Sequence, residues 1–170
     1  MSDRALSQKA GTPSTRLSTD VRQARPNGRQ SIDIGVLDDH LGYLIRRLQV
    51  WVFQDFIRTL APIDITPAQY SVLVVIAANP GLSQSDLADR LGIERARLVR
   101  LLDRLERRGL TRRLPSRTDR RSHALRLTPV GQRTLKRAMT LAARHEGRLI
   151  EELGIQRHNS IMDLLRDFDR

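Results

Sequence analysis

The sequence predicts a mainly α-helical domain with one small β-hairpin, and three features of it lead there. From Ile32 onward, apolar residues recur mostly at three- and four-residue steps, the period of helices with one buried face. Between residues 110 and 127 the period drops to two, the alternation of a strand pair. Directly upstream, two short helical runs are joined by "LGI", which is helix-turn-helix spacing.

Each element has its own local reason. Residues 1–31 mix Ser, Thr, Gln, Gly, Pro and Arg without apolar periodicity. Such a stretch buries too little surface to offset its ordering entropy, so it reads as a disordered basic arm. Residues 32–170 read as a single domain. Leu37, Leu41, Leu44, Leu48, Val52 and Phe56, widened by Ile45, Ile57 and Leu60, form a long amphipathic helix over about residues 36–61, ended before Pro62. Thr66 caps the next helix, with Pro67 at its first position and Gln69 three residues after the cap. This helix is apolar on most sides through Ala78, which places it centrally, and "NPG" at 79–81 ends it.

Ser83 opens a short helix with Asp86 at the capping-box position, and Gly92 stops it. "ERARLVRLLDRLERRG" continues as a helix with Leu98, Leu101, Leu102 and Leu105 facing inward, closed by Gly109. In the period-two segment, Leu110, Arg112 and Leu114 alternate with Thr111 and Arg113; His123, Leu125 and Leu127 alternate with Ala124 and Arg126. The loop "PSRTDRR" joins the two strands. Thr128 and Pro129 then open a helix to about Leu153, and a last helix runs from about Asn159 to Phe168. Helix-turn-helix plus hairpin is a winged helix, over about residues 62–128. The helices over about 36–61 and 128–170 flank it.

Composition narrows the function. The chain has no cysteine, which excludes disulfides, thiolate zinc sites and thiol redox sensing. The longest apolar run, Val72 to Ala78, is too short to span a bilayer, and the N-terminus carries no apolar leader. The expectation is a soluble cytoplasmic protein without a membrane partner. None of the common catalytic or nucleotide-binding motifs occurs. His40, His123, His145 and His158 are dispersed without metal-ligand spacing. An enzyme is therefore not expected, nor a cofactor, nor a metal. The formal charge of +11 is concentrated: residues 94–126 hold twelve arginines against Glu94, Asp103, Glu106 and Asp119, a net of +8. Such a surface attracts polyanions.

Both parts of the winged helix are cationic, which points to double-stranded DNA. Arg95 and Ala96 lead the second helix, where residues reach base edges in a major groove, and arginine there bonds guanine in bidentate fashion. Arg95, Arg97, Arg100 and Arg104 are read as lying opposite the leucines. Arg117, Arg120 and Arg121 sit on the wing loop, the right shape for an adjacent minor groove. With Ser83 and Gln84 at the head of the first helix, these complete the candidate DNA-binding set, together with Asp119. That carboxylate either pairs with a neighbouring arginine and orients it or initiates a turn.

The stretch "LTPAQYSVLVVIAANPGLSQSDLADRLGIERARLVRLLDRLERRGLTRRLPSRTDRRSHALRLTPVG" resembles the central region of the MarR family of bacterial transcription regulators. The most specific part is D-R-R at 119–121 followed by L-x-L-T-x-x-G at 125–131, and the resemblance covers about residues 37–150. It implies a homodimer with intertwined terminal helices, an outer winged helix on each protomer, a palindromic operator, and relief of repression by an anionic, often aromatic, ligand. It also implies that Asp119 orients Arg121. The family's pockets lie between the first helices and the winged helix, where His40, Tyr43, Arg46, Arg47, Trp51 and Tyr70 are available. Tyr43, Arg47 and Trp51 share one helix face by their four-residue step. An aromatic wall with a guanidinium suits an aromatic carboxylate or the phosphates of a coenzyme A thioester; the alternative is that the aromatics are dimer core and Arg47 reaches to water. "HLGYLIRRLQVWVFQDF" followed by "PAQYSVL" is similar to members that respond to hydroxycinnamate-type compounds or their CoA thioesters. Two function classes stand: a ligand-responsive repressor, and a sequence-tolerant protein that coats DNA.

Overall fold

The computed structural model describes residues 32–115 and 123–167. The basic arm and the wing candidates Arg117, Asp119, Arg120 and Arg121 lie outside the described residues. The chain divides into Met1–Gly35 and Val36–Arg170, and the second unit holds the helices and strands that follow. They are α1 (Leu41–Leu60), α2 (Pro67–Ala78), α3 (Gln84–Leu91), α4 (Arg95–Arg107), β1 (Thr111–Pro115), β2 (His123–Leu127), α5 (Pro129–Leu153) and α6 (Ile155–Asp167).

α1 starts later than its apolar spacing suggests, because His40 is extended (φ −95, ψ 116) and separates the helix from a 3-10 turn. Its apolar stripe is really two. Leu48, Val52 and Phe56 are half-buried and Leu60 is fully buried, whereas Leu41, Leu44, Ile45, Phe53 and Ile57 are exposed. α2 begins with the full capping box: Gln69 N–H donates to Thr66 Oγ1 at 3.2 Å and Thr66 N–H to Gln69 Oε1 at 2.9 Å. Val72, Leu73 and Ile76 of this helix are buried with Leu87, Leu98, Leu102, Leu105 and Leu125. The core thus lies inside the winged helix, each buried leucine contributing about 2 kcal/mol.

β1 and β2 pair antiparallel, with Thr111 opposite Leu127 and Arg113 opposite Leu125. The inward face differs from the apolar alternation read from β1. Thr111 and Leu125 are buried and Arg113 is half-buried, while Arg112 is exposed. Leu110 is buried just before the strand, so the apolar count there slips by one residue. β2 is also held along its other edge, where Gly81 N–H donates to Leu125 O at 3.0 Å and Leu125 N–H to Leu82 O at 2.9 Å.

Thr128 accepts from Gly131 N–H at 3.0 Å and caps α5. Its hydroxyl donates to Gly109 O at 2.5 Å, and its N–H to Leu110 O at 3.0 Å, which seats the head of α5 on the root of β1. α5 ends at Gly154, whose φ of +78 suits only glycine without strain. α6 then begins at once, at Ile155 rather than Asn159. The polar run "QRHNS" is helical, exposed except at the half-buried His158, and not a loop. Among the described residues no single helix is long and apolar enough to cross a membrane.

Candidate nucleic-acid interface

The helix pair is built by local chemistry. Ser83 Oγ accepts from Asp86 N–H at 3.1 Å and donates to the Asp86 carboxylate at 2.7 Å, so Asp86 steadies the cap through the hydroxyl. Gly92, at φ +59, turns the chain after α3, and Ile93 N–H closes the turn on Ala88 O at 3.0 Å. Glu94 precedes α4 without a side-chain cap bond. The first-turn N–H groups of α4 therefore stay available for an anion, beside Arg95.

α4 sorts its charges by face. Leu98, Leu102 and Leu105 are buried, so at about 100° per residue the opposite side carries Ala96, Arg100 and Arg107. Arg95, expected opposite the leucines, lies on one flank instead and, with Gln84, Ser85, Leu98 and Val99, lines a cavity of about 200 Å³ between the heads of α3 and α4. Gln84 and Arg95 are thus brought together. Arg97 and Arg104 lie on the other flank rather than straight opposite the leucines. With Arg100 they line a cavity of about 540 Å³ against Phe53 and Ile57 of α1 and Pro67 and Ala68 of α2. Arg95, Arg97, Arg100, Arg104 and Arg107 form no ion pair with any described residue. Among the described residues nothing neutralises this charge by an ion pair, and such a face attracts a polyanion.

Two arginines read from sequence only as surface charge have structural partners. Arg108, just after α4, donates to the carbonyls of Ile63 (3.2 Å) and Asp64 and pairs with the Asp64 carboxylate at 3.4 Å. Arg113 pairs with Asp103 at 2.6 Å and Glu106 at 2.7 Å.

The candidate ligand residues fall into two groups. His40 is exposed at the head of α1. Arg47 lies 5.9 Å from the centre of the Tyr43 ring and pairs with Asp38 at 3.3 Å. Trp51 is half-buried one turn further along. Tyr70, by contrast, meets Phe56 edge-on at 5.5 Å, and Phe56 stacks on His145 at 4.9 Å. Burial pushes the Tyr70 hydroxyl above the usual tyrosine range. Arg46 is exposed, and none of the six candidates lines the larger cavity.

The seam between α1 and α5 holds a polar cluster that residue spacing does not reveal. His145 Nδ1 donates to Asp55 Oδ2 at 2.8 Å, and Arg148 donates to the same oxygen at 2.7 Å and to Thr59 Oγ1 at 2.5 Å. The bonds from Arg148 and then His145 hold the Asp55 carboxyl down at about 2. Further along, the Glu146 carboxylate, 2.6 Å from His158 Nε2, raises the pKa of that imidazole.

The sequence pattern of the MarR family matches residues 63–122. A Thauera aromatica protein described as a transcriptional regulator for the hcr operon is 36% identical over 133 residues, 78% of this chain and 80% of its own. The chain belongs to the MarR family. It is a transcriptional regulator with the family's winged helix-turn-helix. The transcriptional repressor CouR bound to a 23-mer DNA duplex is 46% identical, with a TM-score of 0.79 over 83% of this chain and 100% of that one. CouR bound to p-coumaroyl-CoA is 45% identical, with a TM-score of 0.76 over 82% and 99% of the two chains.

Proposed function

We propose that this MarR-family chain represses transcription as a homodimer on a pseudo-palindromic operator and is released by an aromatic acyl-CoA or a related anionic aromatic compound. One observation carries the DNA reading: the exposed face of α4 presents arginines that have no ion-pair partner among the described residues, beside the hairpin. Arg95, Ala96, Arg97 and Arg100, with Ser83 and Gln84 at the head of α3, serve the major groove in this reading. Arg117, Arg120 and Arg121 serve the wing contact, with Asp119 orienting Arg121. The exposed apolar residues of α1 and of α6, where Leu164 and Leu165 are open, provide the surface for a second copy. Membership of a family of transcription regulators supports a cytoplasmic binding protein rather than an enzyme.

The ligand class rests on similarity to CouR, whose complex holds p-coumaroyl-CoA, and on the Tyr43–Arg47–Trp51 face of α1. Release requires that the ligand bind the DNA-free form more tightly than the DNA-bound form, by the same factor that it weakens DNA binding. The test is fluorescence anisotropy on an operator duplex with p-coumaroyl-CoA, p-coumarate or coenzyme A added. Release by p-coumaroyl-CoA, with coenzyme A inert, supports the reading. Indifference to p-coumaroyl-CoA and p-coumarate alike would remove the ligand class.

A further inference from the structure

We propose that Arg113 is a positioning residue for DNA recognition: it fixes the wing strand against the recognition helix so that both reach the duplex as one rigid unit. The inference rests on the DNA-binding reading above. Arg113 sits in the middle of β1, yet its side chain is only 21% exposed. Its two terminal nitrogens take different carboxylates, Glu106 Oε2 at 2.7 Å and Asp103 Oδ1 at 2.6 Å. Its backbone N–H donates to the other Glu106 oxygen at 3.1 Å. Glu106 thus binds both the strand edge and the side chain, and Asp103 adds a third fixed point one turn earlier on α4.

Stability alone is a poor reason for this arrangement. The Nε–H of Arg113 is buried without a hydrogen-bond partner, and its two carboxylates are 48% and 38% exposed, where solvent screening leaves an ion pair contributing little. What a planar fork provides is direction, because two carboxylates at set angles leave the guanidinium one orientation. β2 is already tied to Gly81 and Leu82 through its backbone; β1 pairs with β2 along one edge, and at Arg113 its contact with α4 is made by the carboxylates of Glu106 and Asp103. Asp103 also lies on α4 beside Arg100 and Arg107, where a bare carboxylate would repel phosphate. Arg113 both satisfies it and draws it toward the wing. Without this clasp the hairpin would have to be ordered during binding, which weakens affinity without removing any direct contact.

The experiment uses the full-length protein and a duplex that the wild type selects from a randomised pool. Variants are Arg113→Met, Arg113→Lys and the pair Asp103→Asn/Glu106→Gln, which keeps volume and removes the charges Arg113 grips. The expected result for Arg113→Met is about tenfold weaker binding. Protection should be lost over the outer minor-groove flanks and the salt slope should shrink, while base preference under α4 stays unchanged. Arg113→Lys, which keeps the charge but not the fork, should rescue only in part. The carboxamide pair should reproduce the loss, and adding Arg113→Met to it should cost little more. Wild-type affinity and footprint in the folded Arg113→Met protein would overturn the proposal. So would a loss spread evenly over the site together with a lowered melting temperature. If Arg113→Met does not fold, the carboxamide pair decides by the same criteria. A wild type that selects no duplex overturns the DNA-binding reading, and this proposal with it, before any variant is made.

Discussion

Replacing Gly131 with alanine tests how closely α5 rests on the wing root. A Cβ at Gly131 would stand 1.9 Å from Leu110 O, 2.8 Å from its carbonyl carbon and 3.2 Å from its Cα. Ordinary carbon–oxygen contact is about 3.3 Å, so the head of α5 must retreat by more than an ångström. The obstacle is backbone, so no side-chain rotation relieves it. The same carbonyl accepts from Thr128 N–H at 3.0 Å, and Thr128 Oγ1 donates to Gly109 O at 2.5 Å. Retreat stretches both bonds. Overpacking at about 1–3 kcal/mol plus two weakened bonds at about 1 kcal/mol each outweighs the helix preference of alanine, about 1 kcal/mol. The expected net loss is about 3 kcal/mol, or roughly 6–12 °C in melting temperature. Thermal unfolding followed by far-UV circular dichroism at fixed concentration measures it. Gly147→Ala, in the same helix with nothing within 4 Å of its Cβ, should melt at or above the wild-type temperature. If Gly131→Ala melts within about 2 °C of wild type, the close approach does not constrain the fold.

Asp55→Asn should cost about 1–2 kcal/mol at neutral pH. Because the folded pKa is depressed to about 2 from 3.8, that stabilisation is full above about pH 4 and fades as pH falls toward 2. Urea unfolding at pH 7 and pH 2.5 should therefore show the gap between wild type and variant closing in acid, and a constant gap would exclude the ionised cluster as its cause. Arg95→Ala should cost about 1–3 kcal/mol and relax preference at one base pair per half-site. Arg120→Ala should instead weaken all duplexes evenly and reduce the salt slope by about 1; titration of matched and mismatched duplexes at several salt concentrations separates the two. Arg47→Ala should abolish release by the aromatic acyl-CoA with operator affinity nearly unchanged, and a normal anisotropy response would place Arg47 outside the ligand site. Sedimentation at low micromolar concentration should show a dimer, since a folded monomer would leave Leu41, Leu44, Ile45, Leu164 and Leu165 open to water.

Elements governed by neighbours in sequence were the most legible. The Thr66–Gln69 box, the Gly92 turn and the Thr128 cap each involve residues within five positions, and each forms as the spacing implies. The hairpin was legible as a strand pair but not in its facing. The buried side of β1 carries Thr111 and Arg113, and an arginine faces inward only because carboxylates from α4 wait there. Residue spacing cannot show partners seven and ten positions away on another element. The Asp55–His145–Arg148 cluster was invisible for the same reason, with about ninety residues between its halves. The start of α6 was missed because polar residues on an exposed helix face resemble a loop in composition. The exposure of the α4 arginines was legible because an amphipathic helix, once its leucines are buried, has its arginines on the sides that remain.

The central claim, a regulator that reads sequence rather than a cationic coat, is tested most directly by selection from a randomised duplex pool. Affinities of selected and random duplexes are then compared at one stated salt concentration. A sequence-reading dimer should enrich a pseudo-palindrome with half-site centres about 10 base pairs apart, bound at least about a thousandfold more tightly than random duplex. Equal affinity for selected and random duplexes, with both following the same salt slope, would contradict it.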